Sequence, residues 1–591
     1  MIRLPQFSIQ VQVSPRAQVR LSWSLLVLAM LAYALIVGFL AVLRYTSFKA
    51  TAFDLGNMDQ VLWNTLHGHP FQWTNQGVDW YGPPIRLAQH FEPVLLPLSL
   101  LYVFGADPRI LLIFQTLVLV SGALPIFLMT RRYLPQWPLV AAIMVLGYLL
   151  SAPLIGINLF DFHPVALVTP CFLYAFLALT YRRFGWCLLC CALAAICKEE
   201  IPFVVAVFGV LIIWKYRAPR LGLILILGGI LYGIFAWLMI KHFYPGNQGN
   251  NFWYRYAYLG ATPSDALVNI VMHPWVLPMT YLTLERFYYL AGLARCSGFF
   301  SVFAPEWLLP ALPNLALNLL PNNNSLLYSG IYHYNAPIIP FVVMASIIGL
   351  ARLVALWQQW RGEPVDSVLV TDEQALREKA QVDSFMRGLE NVRLTFLSGL
   401  SLLSRPFTFA RPGLLAVSIA SAHRRKRLND RVVDLARTVT LARLQWVVSL
   451  WIVCMVLLHF VIMIPWFNVL LPDHLPGDRD QAINQLLASI PPTASVSASG
   501  TLNPHLTERP YVTVFPLITY TDEQKNLRTV DYIVVDLNNI VPEDDKDSTA
   551  RMLNQVRSSQ QFCTLKQIEG VILLVQSNGH CGSGAINSPA S

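Results

Sequence analysis

Charged side chains are scarce in this sequence, at 13% of its 591 residues against a hydrophobic share of 55%. Soluble proteins usually carry about a quarter charged residues, so this scarcity excludes an ordinary water-soluble fold. The formal net charge of +9 does not indicate nucleic-acid binding, because the basic residues of a membrane protein mainly set its orientation in the bilayer. The composition therefore predicts an integral membrane protein with the lipid bilayer, and no nucleic acid, as its partner.

Apolar runs long enough to cross a bilayer follow one another along most of the chain. A helix needs roughly 20 apolar residues to cross the hydrocarbon core, and helices satisfy their own backbone in lipid. We therefore predict an all-α polytopic membrane protein with about ten or more transmembrane helices. A small α/β domain is expected at its C-terminal end.

The first apolar run, 21–43, has no small-residue cleavage site after it and is expected to remain as a membrane span. Counting Lys and Arg in the loops predicts a multi-pass protein of the inner or plasma membrane with a cytoplasmic N-terminus. The same count places the C-terminal domain outside the cytoplasm.

The distribution of basic and acidic residues divides the chain into regions. Residues 358–443 contain 14 Lys and Arg against 9 Asp and Glu, whereas 472–591 contain 8 against 13. The first is predicted to be a basic cytoplasmic insert and the second an extracytoplasmic α/β tail domain. The transmembrane domain is assigned to 1–357 and the last transmembrane helix to 444–471. Three strand-like runs support the α/β assignment of the tail: 511–515, 532–535 and 571–575.

Seven of the nine cysteines lie in apolar stretches, where cysteine behaves as a small hydrophobe and is expected to be inert. Cys563 and Cys581 lie instead in the polar tail. They are the candidates for a disulfide if that tail faces an oxidising compartment.

The predicted topology brings several groups of polar residues to the outer side of the membrane. Each group alone is weak evidence for a functional site, because a single acid or histidine at a helix end is often a cap or an anchor. Together they are more informative, since ionisable residues near the membrane core are costly without partners or a function. The groups are Asp54 and Asp59; His90 and Glu92; Asp161 and His163; Lys198, Glu199 and Glu200; and Tyr332, His333 and Tyr334.

The segment after the first span carries the two acids that matter most. Asp54 is expected to cap a helix, with Asp59 about one turn later and both carboxylates in one aqueous pocket. The apolar positions of that helix are expected to face the membrane: Leu55, Met58, Val61 and Leu62. The plainer alternative is that Asp54 only caps an interfacial helix.

Such a pocket has the groups needed for group transfer from a lipid-linked phosphate. A carboxylate can act as a general base, while histidine, lysine and tyrosine can neutralise a phosphate or assist proton transfer. A divalent cation, Mg²⁺ or Mn²⁺, can also take part, and Asp54 and Asp161 would then be its ligands.

The motifs together resemble the bacterial and archaeal membrane-protein family called domain of unknown function 2079. The resemblance rests on six segments of the membrane part: FDLGNMDQVLWNTLHG from Phe53, HFEPVLL from His90, FDFHP from Phe160, CKEE from Cys197, APEWLLPALPNLALNLL from Ala304 and YHYNAPIIPF from Tyr332. In the tail, IPPTASVSASGTLNPHL from Ile490 and VDYIVVDL from Val530 add to it.

That family resembles the GT-C glycosyltransferases, membrane enzymes that use polyprenyl-phosphate-linked sugars. The resemblance implies a catalytic acid in the first external loop, which matches Asp54 and Asp59. A second external-loop acid corresponds to Asp161 only loosely. The resemblance thus implies a glycosyltransferase of the cell envelope with a polyprenyl-phosphate sugar donor, and the remaining outer residues would bind substrate.

Two other functions stay open at this point. One is a transporter or flippase for a lipid-linked or anionic solute, which would place ionisable residues near the bilayer midplane and use broken helices. The other is a non-catalytic envelope scaffold whose tail domain binds partners. Neither the sugar nor the acceptor follows from the residues.

Overall fold

The computed structural model describes residues 14–75, 84–244, 252–281, 283–321, 325–361, 439–472, 474–540 and 546–577. Almost all of the predicted basic insert, together with Cys581, lies outside the described residues. Within them the chain forms a helical membrane part and a C-terminal α/β domain, as the sequence predicts.

Helices make up the membrane part throughout. In chain order they are α1 (Pro15–Thr46), α2 (Asn57–Leu66), α3 (Leu95–Leu98), α4 (Pro108–Ser121), α5 (Ala123–Tyr133), α6 (Pro138–Leu149), α7 (Ala152–Leu159), α8 (Val168–Thr180), α9 (Phe184–Ala195), α10 (Ile201–Leu211), α11 (Pro219–Phe243), α12 (Pro263–Met272), α13 (Val276–Tyr281), α14 (Leu284–Arg295), α15 (Leu312–Leu319), α16 (Ile339–Arg361) and α17 (Leu441–Leu470).

Five helical segments in the described part of the chain are long and apolar enough to cross a membrane. They are α1, the pair α4 and α5, α11, α16 and α17. Helices α6 and α7 make a sixth span if they are counted as one, although they bend by 47° at their junction. Three shorter apolar segments of 10–17 residues add to these: Pro164–Thr180, Phe184–Ala195 and Ile201–Tyr216. The predicted number of about ten is approached only when the shorter segments are included.

Glycines allow the hairpin of α10 and α11 to pack closely. A Cβ at Gly209 would lie 2.6 Å from the carbonyl oxygen of Gly222, and one at Gly229 would meet the carbonyl oxygen of Pro202. Such contacts leave no room for a side chain. The close packing fixes the start of α10 and therefore the charged turn of residues 198–200 just before it.

Arg44 connects the first span to the last. Its Nη1 donates to the carbonyl oxygens of Val469 and Leu470, each at 2.9 Å, at the C-terminal end of α17. These carbonyls have no partner within their own helix, and a cation there also complements the helix dipole. The buried guanidinium thereby ties α17 to the end of α1, directly before the segment that carries Asp54.

The C-terminal domain contains a mixed five-stranded sheet. Its elements are α18 (Asp478–Ala488), β1 (Val496–Ala498), β2 (Val512–Val514), β3 (Thr519–Thr521), β4 (Leu527–Thr529), β5 (Tyr532–Asp536), α19 (Lys546–Ser558), β6 (Phe562–Ile568) and β7 (Val571–Gln576). The strand order is β2-β1-β5-β7-β6, with β1 parallel to β2 and β5 and with β7 antiparallel to β5 and β6. Strands β3 and β4 pair separately. All three predicted strands are present, and Cys563 in β6 is disulfide-bonded.

Both faces of this sheet are covered. Because successive side chains of a strand point to opposite faces, Val534 of β5 packs in a cluster with α18, whereas Ile533 and Val535 pack in a cluster with Leu553 of α19. Phe48 of the membrane part, which is fully buried, belongs to the first cluster. The domain is thus packed against the end of α1 through its own core.

The helix after Asp54 differs from its prediction. Asp54 lies inside a π-helical turn, Ala52–Gly56, that leads into α2, so it does not cap a helix. The positions expected to face lipid are buried in the protein core: Leu55, Met58, Val61 and Leu62. They cannot reach lipid because the 95–102 segment contacts α2 and the C-terminal domain contacts the π-helical turn.

Candidate functional site

A polar cavity of about 480 Å³ lies beside the π-helical turn, at the end of the membrane part that carries the C-terminal domain. It gathers side chains from segments far apart in the sequence. The ionisable and amide residues that line it are Asp54, Asn57, Arg86, Gln89, His90, Glu92, His163, Lys198, Glu199, Glu200, Arg255, Asn314, Asn318 and His333.

Asp54 is held by two hydrogen bonds. Its Oδ1 lies 3.0 Å from His163 Nε2, and its Oδ2 accepts a 3.0 Å hydrogen bond from the hydroxyl of Thr51. Burial alone would raise the pKa of Asp54, but the hydrogen bond and charge of His163, the Thr51 hydroxyl and the charge of Arg86 together lower it. The side chain is therefore an ionised carboxylate at the wall of the cavity.

His163 is positioned from two sides. Its ring stacks on that of His333 with 3.8 Å between centroids. On the backbone side, Gln115 of α4 accepts from the His163 N–H at 3.0 Å and donates to the Asp161 carbonyl at 2.9 Å. Asp161 adopts a left-handed φ of +54° between these two bonds. The side-chain amide of Gln115 thus fixes the turn that places the His163 ring beside Asp54.

Three buried atoms of the cavity residues have no hydrogen-bond partner among the described residues: His163 Nδ1, His333 Nδ1 and Asn314 Oδ1. A buried polar atom without a partner is costly. These atoms mark the His163 side of the cavity as one where a polar ligand would gain contacts.

On another part of the wall, an acid holds a histidine. His90 Nδ1 lies 2.7 Å from Glu199 Oε1, while Glu199 Oε2 accepts from the Phe91 N–H at 3.0 Å. Burial and the charges of Arg86 and Lys198 lower the pKa of His90. A neutral imidazole that donates through Nδ1 to the carboxylate fits both observations.

Two cations lie on the same wall. Lys198 Nζ is 3.3 Å from Glu200 Oε1, and Glu200 and Glu199 raise the pKa of Lys198 although burial acts in the opposite direction. Arg86 is buried, donating from Nε to Glu92 at 2.8 Å and from Nη1 to Gln89 at 3.0 Å. Both cations form ion pairs with glutamates at the cavity wall, and such groups can also donate hydrogen bonds to an anion.

Most sequence-predicted residues meet in this cavity: Asp54, His90, Glu92, His163, Lys198, Glu199, Glu200, His333 and Tyr334. Three of the predicted residues do not line the cavity: Asp59, Asp161 and Tyr332. Asp161 lies one layer behind, accepting from the Thr51 N–H at 3.0 Å. Tyr332 packs edge-on against Phe160.

Asp59 is the largest departure from the prediction. It is fully buried and bonds to the hydroxyls of Tyr102 and Thr507, the latter at 2.6 Å. Burial and the charge of Glu508 raise the pKa of Asp59 to about 8. The two acids of the first loop separate because five residues along a helical segment rotate Asp59 away from Asp54 and toward the C-terminal domain.

The C-terminal domain supports the Asp54 turn from behind. The Ala52 N–H donates to the Gly500 carbonyl at 2.8 Å, and Asn503 exchanges amide hydrogen bonds of 3.0 and 3.2 Å with Asn75. A Cβ at Gly56 would lie 2.7 Å from Asn503 Oδ1. The turn that presents Asp54 is therefore enclosed by the α/β domain.

Several cavity residues were not anticipated from the sequence: Arg86, Arg255, Asn314 and Asn318. Asn314 and Asn318 lie on one face of α15, four positions apart. That spacing within an apolar helix was the available signal.

The described residues contain no group of three or more His, Cys, Asp and Glu side chains arranged to hold a metal ion. Both oxygens of Asp54 are engaged by His163 and Thr51, and Asp161 faces the Thr51 backbone. A cation ligated by Asp54 and Asp161 would require these side chains to rearrange, and its participation stays a prediction.

Among solved structures, the chain is similar to ArnT from Cupriavidus metallidurans, in crystals bound to undecaprenyl phosphate and in the apo state. Sequence identity is 13% in both cases and the TM-scores are 0.42 and 0.43. The alignments cover 93% and 94% of this chain and 98% of the other. Similarity of this size does not establish a shared activity or ligand. The comparison with curated proteins gave no match.

The model of one protein family matches residues 44–371 and 396–573, which is most of the sequence. These two stretches include every cavity residue named above and nearly all of the C-terminal domain. The chain belongs to the family described as "Predicted membrane protein (DUF2079)".

Proposed function

We propose that this protein is a membrane glycosyltransferase that moves a sugar from a polyprenyl-phosphate-linked donor to an acceptor hydroxyl. The observation that carries the proposal is the single cavity that holds an ionised, hydrogen-bonded Asp54 together with fixed cations. The resemblance of the family to GT-C enzymes supports the same reaction class. The outer membrane face is proposed as the site of reaction, from the distribution of Lys and Arg.

Asp54 would act as the general base. The acceptor oxygen forms a bond to the anomeric carbon of the sugar as its proton passes to Asp54. The bond from that carbon to the phosphate oxygen breaks at the same time, and both electrons leave with the phosphate. A single displacement inverts the configuration of the sugar carbon. His163 holds Asp54 in place and keeps it ionised until the proton arrives.

Lys198, Arg86 and Arg255 would receive the departing phosphate. They line the same cavity as Asp54, and positive groups already fixed in an enclosed site stabilise developing charge without reorganisation. Glu92, Glu199 and Glu200 hold the cations and His90 in position, as their ion pairs indicate. His333, Tyr334 and the asparagines of α15 are suited to bind sugar hydroxyls. If Mg²⁺ or Mn²⁺ takes part, Asp54 and Asp161 would be its ligands.

A lipid-linked donor fits the place of the cavity in the fold. Leu317 of α15 lines the cavity and is 37% exposed. In a membrane protein such apolar exposure faces lipid. The hydrocarbon chain of a donor could therefore stay in the bilayer while its phosphate enters the polar cavity.

A transporter is the second candidate, favoured by two observations away from this cavity. One is the 47° break between α6 and α7. The other is a buried basic pair, Arg295 and His459, whose Nη1 and Nδ1 lie 3.2 Å apart in the membrane part. Broken helices and ionisable groups near the midplane are common in transporters.

Consumption of the donor separates the two candidates. The full-length protein in nanodiscs is incubated with radiolabelled polyprenyl-phosphate sugars and with membrane extract as acceptor source. A glycosyltransferase releases free polyprenyl phosphate from at least one of the donors, whereas a transporter leaves every donor intact. Failure to consume any sugar donor in a broad panel, by protein that is folded and membrane-embedded, would refute the proposal.

A further inference from the structure

A second cavity, of about 720 Å³, lies inside the membrane part between α14, α17 and the start of α7. Most of its lining is apolar or aromatic, including Pro153, Leu293, Leu326, Ile462, Met463 and Trp466. Leu326, Ile462 and Trp466 are between 38% and 45% exposed. Ile462 and Trp466 belong to the spanning helix α17, so on this side the cavity opens toward lipid.

Arg295 lies in the wall of this apolar cavity and is only 6% exposed. Within the described residues no Asp or Glu forms an ion pair with it, and its Nη1 lies 3.2 Å from His459 Nδ1. Glu285 also lines the cavity, but it stands at the opposite end of α14, about 15 Å away by helical rise. A buried cation of this kind is costly in a membrane unless an anion meets it.

His459 does not neutralise Arg295. Its Nε2 accepts a 2.8 Å hydrogen bond from the Ala152 N–H, so a neutral ring carries its proton on Nδ1. That atom is the one facing Arg295 Nη1, which means that two donors point at each other. The N-terminus of α7 at Ala152 adds partial positive charge. Arg295 Nη1 and His459 Nδ1 therefore need a hydrogen-bond acceptor between them, preferably a negatively charged one.

Depth restricts what that acceptor can belong to. The rise from His459 to Trp466, where the apolar span of α17 ends, is about 10 Å, which lies inside a hydrocarbon core of about 30 Å. An anion that reaches this depth through the lipid-facing side of the cavity must carry apolar groups with it. A ligand with a hydrocarbon chain can enter from the side, with its chain along the apolar wall.

We propose that this cavity binds a long-chain anionic amphiphile whose carboxylate or phosphate-monoester headgroup accepts hydrogen bonds from Arg295 and His459. The headgroup supplies the acceptor that the two facing donors need. The apolar lining accommodates the chain, and the lateral opening gives it access from the bilayer.

This site is separate from the cavity of Asp54. Between them stand Tyr289, which lines the second cavity, and Asn318, which lines the first. Asn318 donates to the Tyr289 hydroxyl at 3.0 Å, and that hydroxyl donates to Asn335 at 2.8 Å. The proposal does not depend on sugar transfer, and binding can be measured without any enzymatic assay.

Photolabelling tests the proposal directly. The full-length protein in phosphatidylcholine nanodiscs is exposed to three diazirine probes with the same chain, ending in a carboxylate, a phosphate or an alcohol. Peptide mapping is expected to place the carboxylate or phosphate label on α14 and α17. The alcohol should label these peptides about tenfold less, the difference expected for one charge-assisted hydrogen bond.

Variants identify the group responsible. Arg295→Met should lower anionic labelling to the level of the alcohol, whereas Arg295→Lys should retain most of it. Arg132→Met removes a cation of α5 that lines neither cavity; it is the control and should not reduce labelling. Equal labelling by the alcohol and the anions in the unaltered protein would overturn the proposal, and this comparison holds even if Arg295→Met fails to fold. Unchanged labelling of a folded Arg295→Met variant would also overturn it.

Discussion

Asp54 and His163 are 109 positions apart in the sequence, yet His163 Nε2 lies 3.0 Å from Asp54 Oδ1 at the wall of the polar cavity. The contact depends on both ends of the protein. Asp54 stands in a turn backed by the C-terminal domain, and His163 follows a left-handed residue fixed by Gln115. The pair explains how a buried carboxylate stays ionised where a base is needed.

The first prediction concerns the pH dependence of transfer. A base works only when deprotonated, so activity falls as pH drops through the pKa of Asp54, which His163 and its neighbours lower. Replacing His163 with Leu removes that hydrogen bond and should shift the acidic limb of kcat/KM to higher pH. Gln at this position can still donate and should shift it less. An identical acidic limb in all three proteins would show that His163 does not act on Asp54.

A second prediction concerns Asp59 and stability. Burial raises its pKa to about 8, so the folded protein binds a proton there that the unfolded chain releases at about 4. Stability from this group is complete below pH 4 and is lost as pH rises toward 8. Asp59→Asn mimics the protonated form. The melting temperature of Asp59→Asn minus that of the unaltered protein should increase from pH 5 to pH 8. A difference that stays constant with pH would contradict a buried neutral acid at this position.

The third prediction concerns the contact between the Asp54 turn and the C-terminal domain. A methyl group at Gly56 would lie 2.7 Å from Asn503 Oδ1, which is buried and bonded to Asn75. Gly56→Ala should therefore destabilise the protein by about 1–3 kcal/mol through overpacking. Gly228→Ala, where a Cβ meets nothing within 4 Å, serves as the control. Equal unfolding midpoints of the two variants would argue against a tight interface.

A fourth prediction tests the phosphate-binding role of Lys198. Lys198→Met removes a cation from the cavity and should lower kcat by about 10²–10³-fold, as the loss of one stabilising group of a transition state usually does. Lys198→Arg keeps the charge and should recover part of the rate. The proposed role would be wrong if Met and Arg at this position gave the same activity.

Local patterns were enough to predict the architecture. Apolar runs of spanning length, three strand-like runs in the tail and the separation of charge along the chain each depend on neighbouring residues. The gathering of His90, Lys198 and His333 in one cavity agrees with the predicted topology, which places all three on one side of the membrane.

What the sequence could not indicate depends on long-range packing. The apolar face of α2 was assigned to lipid because nothing in its own residues reveals that the C-terminal domain, more than 400 positions later, packs against the preceding turn. The same packing places Asp59 away from the cavity, and there its carboxylate accepts a hydrogen bond from Thr507. Arg86 was missed because its partners Glu92 and Gln89 come together only after the loop folds.

The central claim is that the Asp54 carboxylate removes the acceptor proton during sugar transfer. The most direct test measures release of polyprenyl phosphate by Asp54→Asn, with Asp547→Asn of the distant α19 as control, using the donor that the unaltered protein consumes. We predict a loss of about 10²–10⁴-fold for Asp54→Asn, the usual contribution of a general base, and an unchanged rate for the control. Full activity of a correctly folded Asp54→Asn variant would contradict the account.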